Sequence, residues 1–165
     1  MPRIITNLWF DTEALEAAEY YCSIWPNAAI TRVAHYTEAG PGPAGTVVTV
    51  DFHLDGNPFT AINGGPEFHF TEAVSLLIDC ADQDEVDYYW DALSVGGETS
   101  MCGWLKDRYG LSWQVCPDEL GALIADPDPA RADRAFRAML SMTKIDIAAV
   151  RAAADATNAI DAAGA

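Results

Sequence analysis

The segment from residue 67 to residue 72 brings together side chains that could carry out acid–base or metal chemistry. Glu67, His69 and Glu72 follow the pattern Glu-x-His-x-x-Glu, with Phe68 and Phe70 between them. A carboxylate beside an imidazole can transfer protons or bind a cation. The alternative is a solvated loop that crosses from one part of the chain to the next. The sequence leaves both interpretations open.

Cys102 is the one candidate nucleophile. A thiolate needs a neighbouring cation or histidine that lowers the thiol pKa, and the sequence identifies neither for Cys102. A buried structural thiol is the alternative, because unpaired cysteines are among the most buried residues. Cys22, Cys80 and Cys116 lie far apart without a Cys-x-x-Cys pair. We therefore expect four reduced thiols, mostly buried, and neither a zinc ribbon nor a disulfide framework.

The first half of the chain is predicted to supply a β-α-β-β-β unit that positions such residues. Apolar runs and alternation predict strands at 4–10, 30–37, 46–54 and 59–63. Apolar residues at three- and four-residue steps predict a helix between the first two strands. Asp11, a residue type that often caps helices, is predicted to begin it.

The second half repeats this order. Strands are predicted at 74–80, 98–102, 104–106 and 111–116, with a helix that begins at Asp82 and ends at the two glycines at 96 and 97. The halves align at an offset of 68 residues; the matched pairs include Leu8 with Leu76, Phe10 with Ile78 and Asp11 with Asp79. Two such modules, paired side by side, are expected to enclose a concave and partly apolar cavity.

Helices are predicted to follow the second module. The pattern indicates a short helix at 118–124, a second that starts in the Asp-Pro-Asp-Pro sequence 126–129, and a third from Asp146 to about residue 157. The alanine-rich stretch 152–165 is expected to fray unless it docks on a partner subunit. The predicted fold is therefore α+β, with module 1 at 3–66, module 2 at 72–117 and a helical extension at 118–160.

The charge of the chain excludes some classes of partner. The 165 residues carry 25 acidic and 9 basic side chains, for a formal net charge of −16. Nucleic acid and anionic membranes would be repelled, so neither is an expected partner. The sequence contains neither an apolar run long enough to span a bilayer nor a recognisable signal peptide. A cytoplasmic location is the resulting expectation.

Three separated motifs and a later helical segment resemble the PhnB-like family, whose members often carry the label 3-demethylubiquinone-9 3-methyltransferase. The motifs are Asn7–Asp11, Asn63–Ala73 and Cys102–Gln114, the helical segment is Ala138–Asp146, and the resemblance covers roughly residues 3–145. The family sits in the vicinal oxygen chelate superfamily, together with glyoxalases, bleomycin-resistance proteins and extradiol dioxygenases. The resemblance implies paired β-α-β-β-β modules and a homodimer.

The resemblance also implies where a metal would bind, because metal enzymes of this superfamily place His or carboxylate ligands at four matching strand positions. In this chain the matching positions hold Ile4 or Thr6, Asn63, Ala73 or Ser75, and Gln114. Neutral amide oxygens alone bind a divalent ion weakly, so we expect no metal and no other cofactor. Glu72 lies one residue from the third position, and a register error would restore one ligand.

The methyltransferase label has no support in the sequence. Methyl transfer from S-adenosylmethionine usually uses a glycine-rich turn from a strand into a helix, by analogy with dinucleotide sites. The chain has one Gly-x-Gly-x-x-Gly match, the glycine- and proline-rich stretch 40–45, but this stretch leads into a predicted strand and not into a helix. We interpret the label as inherited naming.

The sequence thus predicts a metal-free PhnB-like protein whose cavity binds an unidentified small molecule; whether it is an enzyme stays open. Gln114 matches a metal-ligand position and is expected to face the cavity, where it and Asn63 could bind a polar ligand from two sides or satisfy buried backbone groups. The candidate ligand-binding residues are Asn63, Phe68, His69, Glu72, Cys102, Trp104 and Gln114. The alternatives are a metal-dependent lyase, isomerase or dioxygenase, and an interaction module with a filled cavity.

Overall fold

The computed structural model describes residues 2–156. The chain divides into two compact units, Met1–Phe70 and Thr71–Ala165. The described part of the second unit includes both the second predicted repeat and the helices that follow it. Within residues 2–156, no helix combines the length and the apolar character that crossing a bilayer requires.

The first unit is a four-stranded sheet with one helix. Its elements are, in chain order, β1 (Thr6–Phe10), α1 (Ala14–Ile24), β2 (Ala28–His35), β3 (Val47–Leu54) and β4 (Asn57–Asn63). The strand order is β1-β4-β3-β2, and β1 runs parallel to β4 while the other neighbours are antiparallel.

One face of this sheet packs on α1, because alternate residues of each strand are apolar. Leu8 on β1 is buried, and so are Phe52 on β3 and Phe59 on β4, whose rings stack at 5.2 Å between centroids. Tyr21 of α1 lies 6.3 Å from Phe52. The opposite face is mixed: it carries Trp9 and Ile62, and there Arg32 donates to the Asp51 carboxylate at 2.8 Å.

The second unit begins with an equivalent sheet. Its elements are β5 (Leu76–Cys80), α2 (Gln83–Ser94), β6 (Glu98–Thr99), β7 (Trp104–Lys106) and β8 (Ser112–Pro117). The strand order is β5-β8-β7-β6, with β5 parallel to β8 and the other neighbours antiparallel. The predicted fold class, with two successive β-α-β-β-β modules, is confirmed.

Alternation again separates two faces in the second sheet. Leu105, Trp113 and Val115 are buried, and α2 packs on this side through Val86 and Trp90. The neighbouring positions on β5, β7 and β8 point the other way. We call that side the open face of the second sheet; it carries Ser75, Leu77, Trp104, Lys106, Ser112, Gln114 and Cys116.

Three helices follow and form a second core of this unit. They are α3 (Glu119–Ile124), α4 (Pro129–Leu140) and α5 (Ile147–Asp155), and they pack around buried Leu120, Ala135 and Val150. Cys116 packs against this cluster, so the helices cover the Cys116 end of the open face. The Gln83 side chain links α2 to the start of α5, since it donates to the Ile145 carbonyl at 3.0 Å and accepts from the Ile147 N–H at 3.0 Å.

Two local predictions differ from the structure. Helix α1 begins at Ala14, and Asp11 does not cap it. The strand predicted at 98–102 ends at Thr99, because Cys102 and Gly103 adopt positive φ angles of 59° and 78° and turn the chain back into β7. Of the alanine-rich tail, residues 152–155 belong to α5, and residues 157–165 lie outside the described residues.

Candidate functional site

Asn63 lies at the end of β4, on the side that faces α1. Its neighbours at alternate positions, Phe59 and Ala61, are buried against that helix. The Ala14 N–H donates to Asn63 Oδ1 at 2.8 Å, and Asn63 Nδ2 donates to the Val47 carbonyl at 3.1 Å. Asn63 therefore performs the capping that the sequence assigned to Asp11, and its amide satisfies backbone groups.

Replacing Asn63 with alanine is expected to lower the free energy of unfolding by about 1–2 kcal/mol, since the first turn of α1 loses its acceptor and the Val47 carbonyl loses its donor. Asn63→Asp keeps an acceptor at the positive end of the helix. Urea denaturation should therefore show a smaller loss in the free energy of unfolding for Asn63→Asp than for Asn63→Ala. A loss in Asn63→Asp as large as that in Asn63→Ala would contradict the prediction.

The position that corresponds to Gln114 in the first unit is Ile62. In the parallel pair of the first sheet Trp9 lies beside Ile62, and in the second sheet Leu77 lies beside Gln114. Trp9 and Leu77 are separated by the same 68 residues that relate the two repeats. Asn63 is thus one residue away from the strand position that matches Gln114.

The linker candidates do not form a compact cluster of donors. Phe68 is 64% exposed and contacts the Trp9 ring edge-on at 5.1 Å between centroids, and His69 is exposed. Trp9 Nε1 donates to the Gly65 carbonyl at 2.8 Å and so holds the start of this segment on the first sheet. Glu72 belongs to the second unit, where it forms an ion pair with Lys106.

A cleft of about 420 Å³ opens on the open face of the second sheet. We call it the Trp104 cleft; its lining residues are Glu72, Glu98, Thr99, Ser100, Trp104, Leu105, Lys106 and Ser112. Two sequence candidates, Glu72 and Trp104, meet in it. Gln114 lies beside Trp104 in the sheet register and donates to the Ser75 hydroxyl at 2.8 Å.

The ion pair in the Trp104 cleft joins the Lys106 Nζ to the Glu72 carboxylate at 2.5 Å. The hydrogen bond from Lys106 holds the pKa of Glu72 below its usual value. The same hydrogen bond raises the pKa of Lys106, and the charges of Glu72 and Glu98 add to the effect. Both groups are therefore charged at neutral pH, and the Lys106 ammonium already has an anionic partner.

A buried hydroxyl without a partner forms part of the cleft. Ser112 has no exposed area, and its Oγ is one of two buried side-chain polar atoms in the described part of the chain that lack a hydrogen-bond partner. The antiparallel register sets Ser112 directly opposite Lys106. Side chains paired in this way lie about 5 Å apart at their Cβ atoms. Lys106 and Ser112 are therefore direct neighbours on the same face of the sheet.

Cys102 occupies a structural turn. Its backbone N–H donates to the Met142 carbonyl at 2.8 Å, so the turn is attached to the segment that follows α4. Burial raises the pKa of Cys116 to about 11 and that of Cys80 to about 12. Both of these thiols are protonated at neutral pH, which makes them poor nucleophiles.

The residues of the open face do not fit a divalent metal ion. Gln114 and Ser75 offer neutral oxygens, and the Glu72 carboxylate lies against the Lys106 ammonium, which repels a cation. Across residues 2–156, no group of three or more His, Cys, Asp or Glu side chains is arranged to hold a metal. Zinc and magnesium sites in proteins need a stronger donor set than this face supplies.

The first unit has its own cleft, of about 720 Å³, between α1 and the 36–47 segment. Asn63 lines it, as do Tyr36, Glu16 and Glu19. The sequence did not predict this cleft, nor did it single out Lys106 and Ser112 in the second unit. The predicted strands at 104–106 and 111–116, joined by a tight turn, contained the signal that these two residues face each other.

Comparison with known proteins agrees with the fold and with the motifs. The family model described as 3-demethylubiquinone-9 3-methyltransferase matches residues 2–116. The chain is 35% identical to the PhnB protein from Bacillus cereus, over 68% of this chain and 97% of that chain, with a TM-score of 0.63.

Protein PA1353 from Pseudomonas aeruginosa shares the fold at 18% identity, over 68% of this chain and 95% of that chain, with a TM-score of 0.58. No curated protein matches the chain. The family match covers both β-α-β-β-β modules and confirms the resemblance noted in the motifs. The chain therefore belongs to the PhnB-like family that is described as 3-demethylubiquinone-9 3-methyltransferase.

Proposed function

We propose that the chain binds a small organic molecule in the Trp104 cleft without the help of a metal ion. The supporting observation is the combination, in one cleft of about 420 Å³, of an indole ring, an ion pair and a buried hydroxyl without a partner. Small-molecule sites typically have a volume of this order and a few fixed polar groups. A ligand would pack on Trp104 and form hydrogen bonds at the floor of the cleft.

The metal-free part of the proposal rests on the donor chemistry of the open face. The family resemblance matches Gln114 to a metal-ligand position, and in the structure the Gln114 amide donates to the Ser75 hydroxyl. Within residues 2–156, no donor set favours a metal-assisted lyase, isomerase or dioxygenase over simple binding. Elemental analysis of the purified protein would contradict this part if it found stoichiometric metal whose removal abolished ligand binding.

Methyl transfer is not part of the proposal. The glycine- and proline-rich stretch 40–45 leads into β3, and Tyr36 packs against Gly40 and Gly42 in that loop. A methyl-donor site of the usual kind needs a glycine-rich turn from a strand into the N-terminus of a helix. Sinefungin, a stable analogue of the methyl donor, should therefore leave the melting temperature unchanged.

The test of the binding proposal is a fragment screen read by protein NMR, with Trp104→Leu as the variant. Fragments that bind should shift the Trp104 indole N–H and the Ser112 amide, and Trp104→Leu should weaken them by about tenfold because most of the aromatic contact area is lost. Trp25→Leu, in the first unit, is the matched control and should bind as the wild type does. A screen in which no fragment shifts these signals would overturn the proposal.

A further inference from the structure

We infer that the Trp104 cleft selects ligands that carry a carboxylate or a similar oxyanion on an aromatic body, and that Glu72 holds the place of this anion in the free protein. The inference rests on the proposed function, since it names the ligand class of that cleft. The supporting residues are Lys106, Ser112 and Trp104, which all line the cleft.

The first step concerns the donors at one point of the cleft. The ammonium of Lys106 and the hydroxyl of Ser112 project from paired positions of β7 and β8. Ser112 is fully buried and its Oγ has no partner, which is costly unless a ligand or a water supplies one. The ammonium and the unpartnered hydroxyl of two neighbouring residues can both donate to an oxyanion bound in the cleft, and charged hydrogen bonds are the stronger kind.

The second step concerns Glu72, which provides the only carboxylate in an ion pair with Lys106 among the described residues. Its side chain is 62% exposed and belongs to the stretch before β5, outside any helix or strand. Exposed ion pairs contribute little to stability, because side-chain ordering and solvent screening offset the attraction. A ligand carboxylate can therefore replace Glu72 on Lys106 with little loss to the fold.

The third step concerns the body of the ligand. Trp104 lies two residues before Lys106 on β7, so both side chains point to the open face, about 7 Å apart along the strand. A ring that stacks on the indole can place a directly attached carboxylate at Lys106. Glu98 also lines the cleft and works against an anion there, whereas the rest of the net charge of −16 is screened beyond about 8 Å at physiological ionic strength.

The experiment compares three probes that share a benzene ring and differ in the charge of the substituent: benzoate, benzamide and benzylamine. Each is titrated into the full chain while the Ser112 amide and the Trp104 indole N–H are followed by NMR. Benzoate should bind about tenfold more tightly than benzamide, since only benzoate carries the anion. Lys106→Met should remove this preference, and Ser112→Ala should reduce benzoate affinity severalfold.

Glu72→Gln provides the sharpest test. It should strengthen benzoate binding by about three- to tenfold, because the competing carboxylate is gone. Glu38→Gln, which removes the same charge from an exposed loop of the first unit, is the matched control and should leave the affinity unchanged. If Glu72→Gln weakens benzoate binding, Glu72 is part of the ligand site and the inference is wrong.

The outcomes also separate this inference from the proposed function. Preference for benzamide or benzylamine, seen at the same two signals, would overturn the selectivity for anions while the cleft remained a binding site. If none of the three probes and no member of the fragment set moves those signals, both the inference and the proposed function fail.

Discussion

Replacing Asp107 with alanine is expected to lower the free energy of unfolding by at least about 3 kcal/mol, because a buried carboxylate with several donors is removed. Asp107 follows β7 and is only 3% exposed. Its Oδ1 accepts from the N–H groups of Tyr109 (2.9 Å) and Leu111 (3.1 Å), and its Oδ2 accepts from Trp113 Nε1 at 2.8 Å. Alanine leaves all three donors without this acceptor, one of them on a buried indole.

Two further variants make the measurement specific. Asp107→Asn keeps the shape and one acceptor but turns an amide donor toward an N–H group, so it should also destabilise, by about 2 kcal/mol. Asp128→Ala removes an exposed carboxylate that caps α4 through one N–H and should cost about 1 kcal/mol. Urea denaturation followed by tryptophan fluorescence compares the three. A loss for Asp107→Ala no larger than that for Asp128→Ala would contradict the prediction.

Asp107 also matters to the candidate site, because it fixes the turn that sets Lys106 opposite Ser112. The backbone N–H of Asp107 donates to the Leu111 carbonyl at 3.0 Å, and its carbonyl accepts from Gly110 at 2.9 Å. The side chain and the backbone of one residue thus close the connection between β7 and β8. A variant that folds with this turn loosened should bind ligand more weakly in the Trp104 cleft, even though Asp107 does not line it.

The fold was predictable where its signals are local. Asp82 and Asp146 were identified as the residues that begin helices, and the start of α4 was predicted within residues 126–129. Asp82, Asp128 and Asp146 each accept a hydrogen bond from a backbone N–H in the first turn of the helix that follows. The prediction for Asp11 was wrong because the acceptor for α1 comes from Asn63, 49 residues further along the chain than Ala14. Spacing along the sequence cannot reveal a cap that the sheet brings to the helix.

The residue types of the candidate site could be predicted from the sequence, but the strand register that brings them together could not. Trp104 and Glu72 were singled out because an indole and a carboxylate are recognisable candidates in any sequence, and both line the same cleft. Ser112 was missed because its importance comes from burial without a partner, a property of the folded chain. Asn63 was matched to Gln114, although Ile62 holds the equivalent strand position. An error of one residue along a strand moves a side chain to the opposite face of the sheet.

Replacing Gly97 with alanine should destabilise the second unit by about 3 kcal/mol, at the upper end of the usual cost of overpacking. A Cβ at this position would lie 2.0 Å from the Lys106 carbonyl oxygen and 2.9 Å from the Asp107 carbonyl carbon. These are backbone atoms of β7 and its turn, so no rotation of a side chain can relieve the clash. The chain must instead move β6 away from β7, where Glu98 pairs with Lys106.

Gly121→Ala is the matched control for Gly97→Ala, because a Cβ at Gly121 meets nothing within 4 Å and the residue lies inside helix α3. That variant should be stabilised by about 0.5–1 kcal/mol, as expected when alanine replaces glycine in a helix. If Gly97→Ala lowers the stability and Gly121→Ala raises it, the loss at Gly97 comes from the contact with β7 and not from the loss of a glycine in general. Equal stabilities would mean that β6 is free to shift, and β6 could then not hold Glu98 and Thr99 in fixed positions at the rim of the Trp104 cleft.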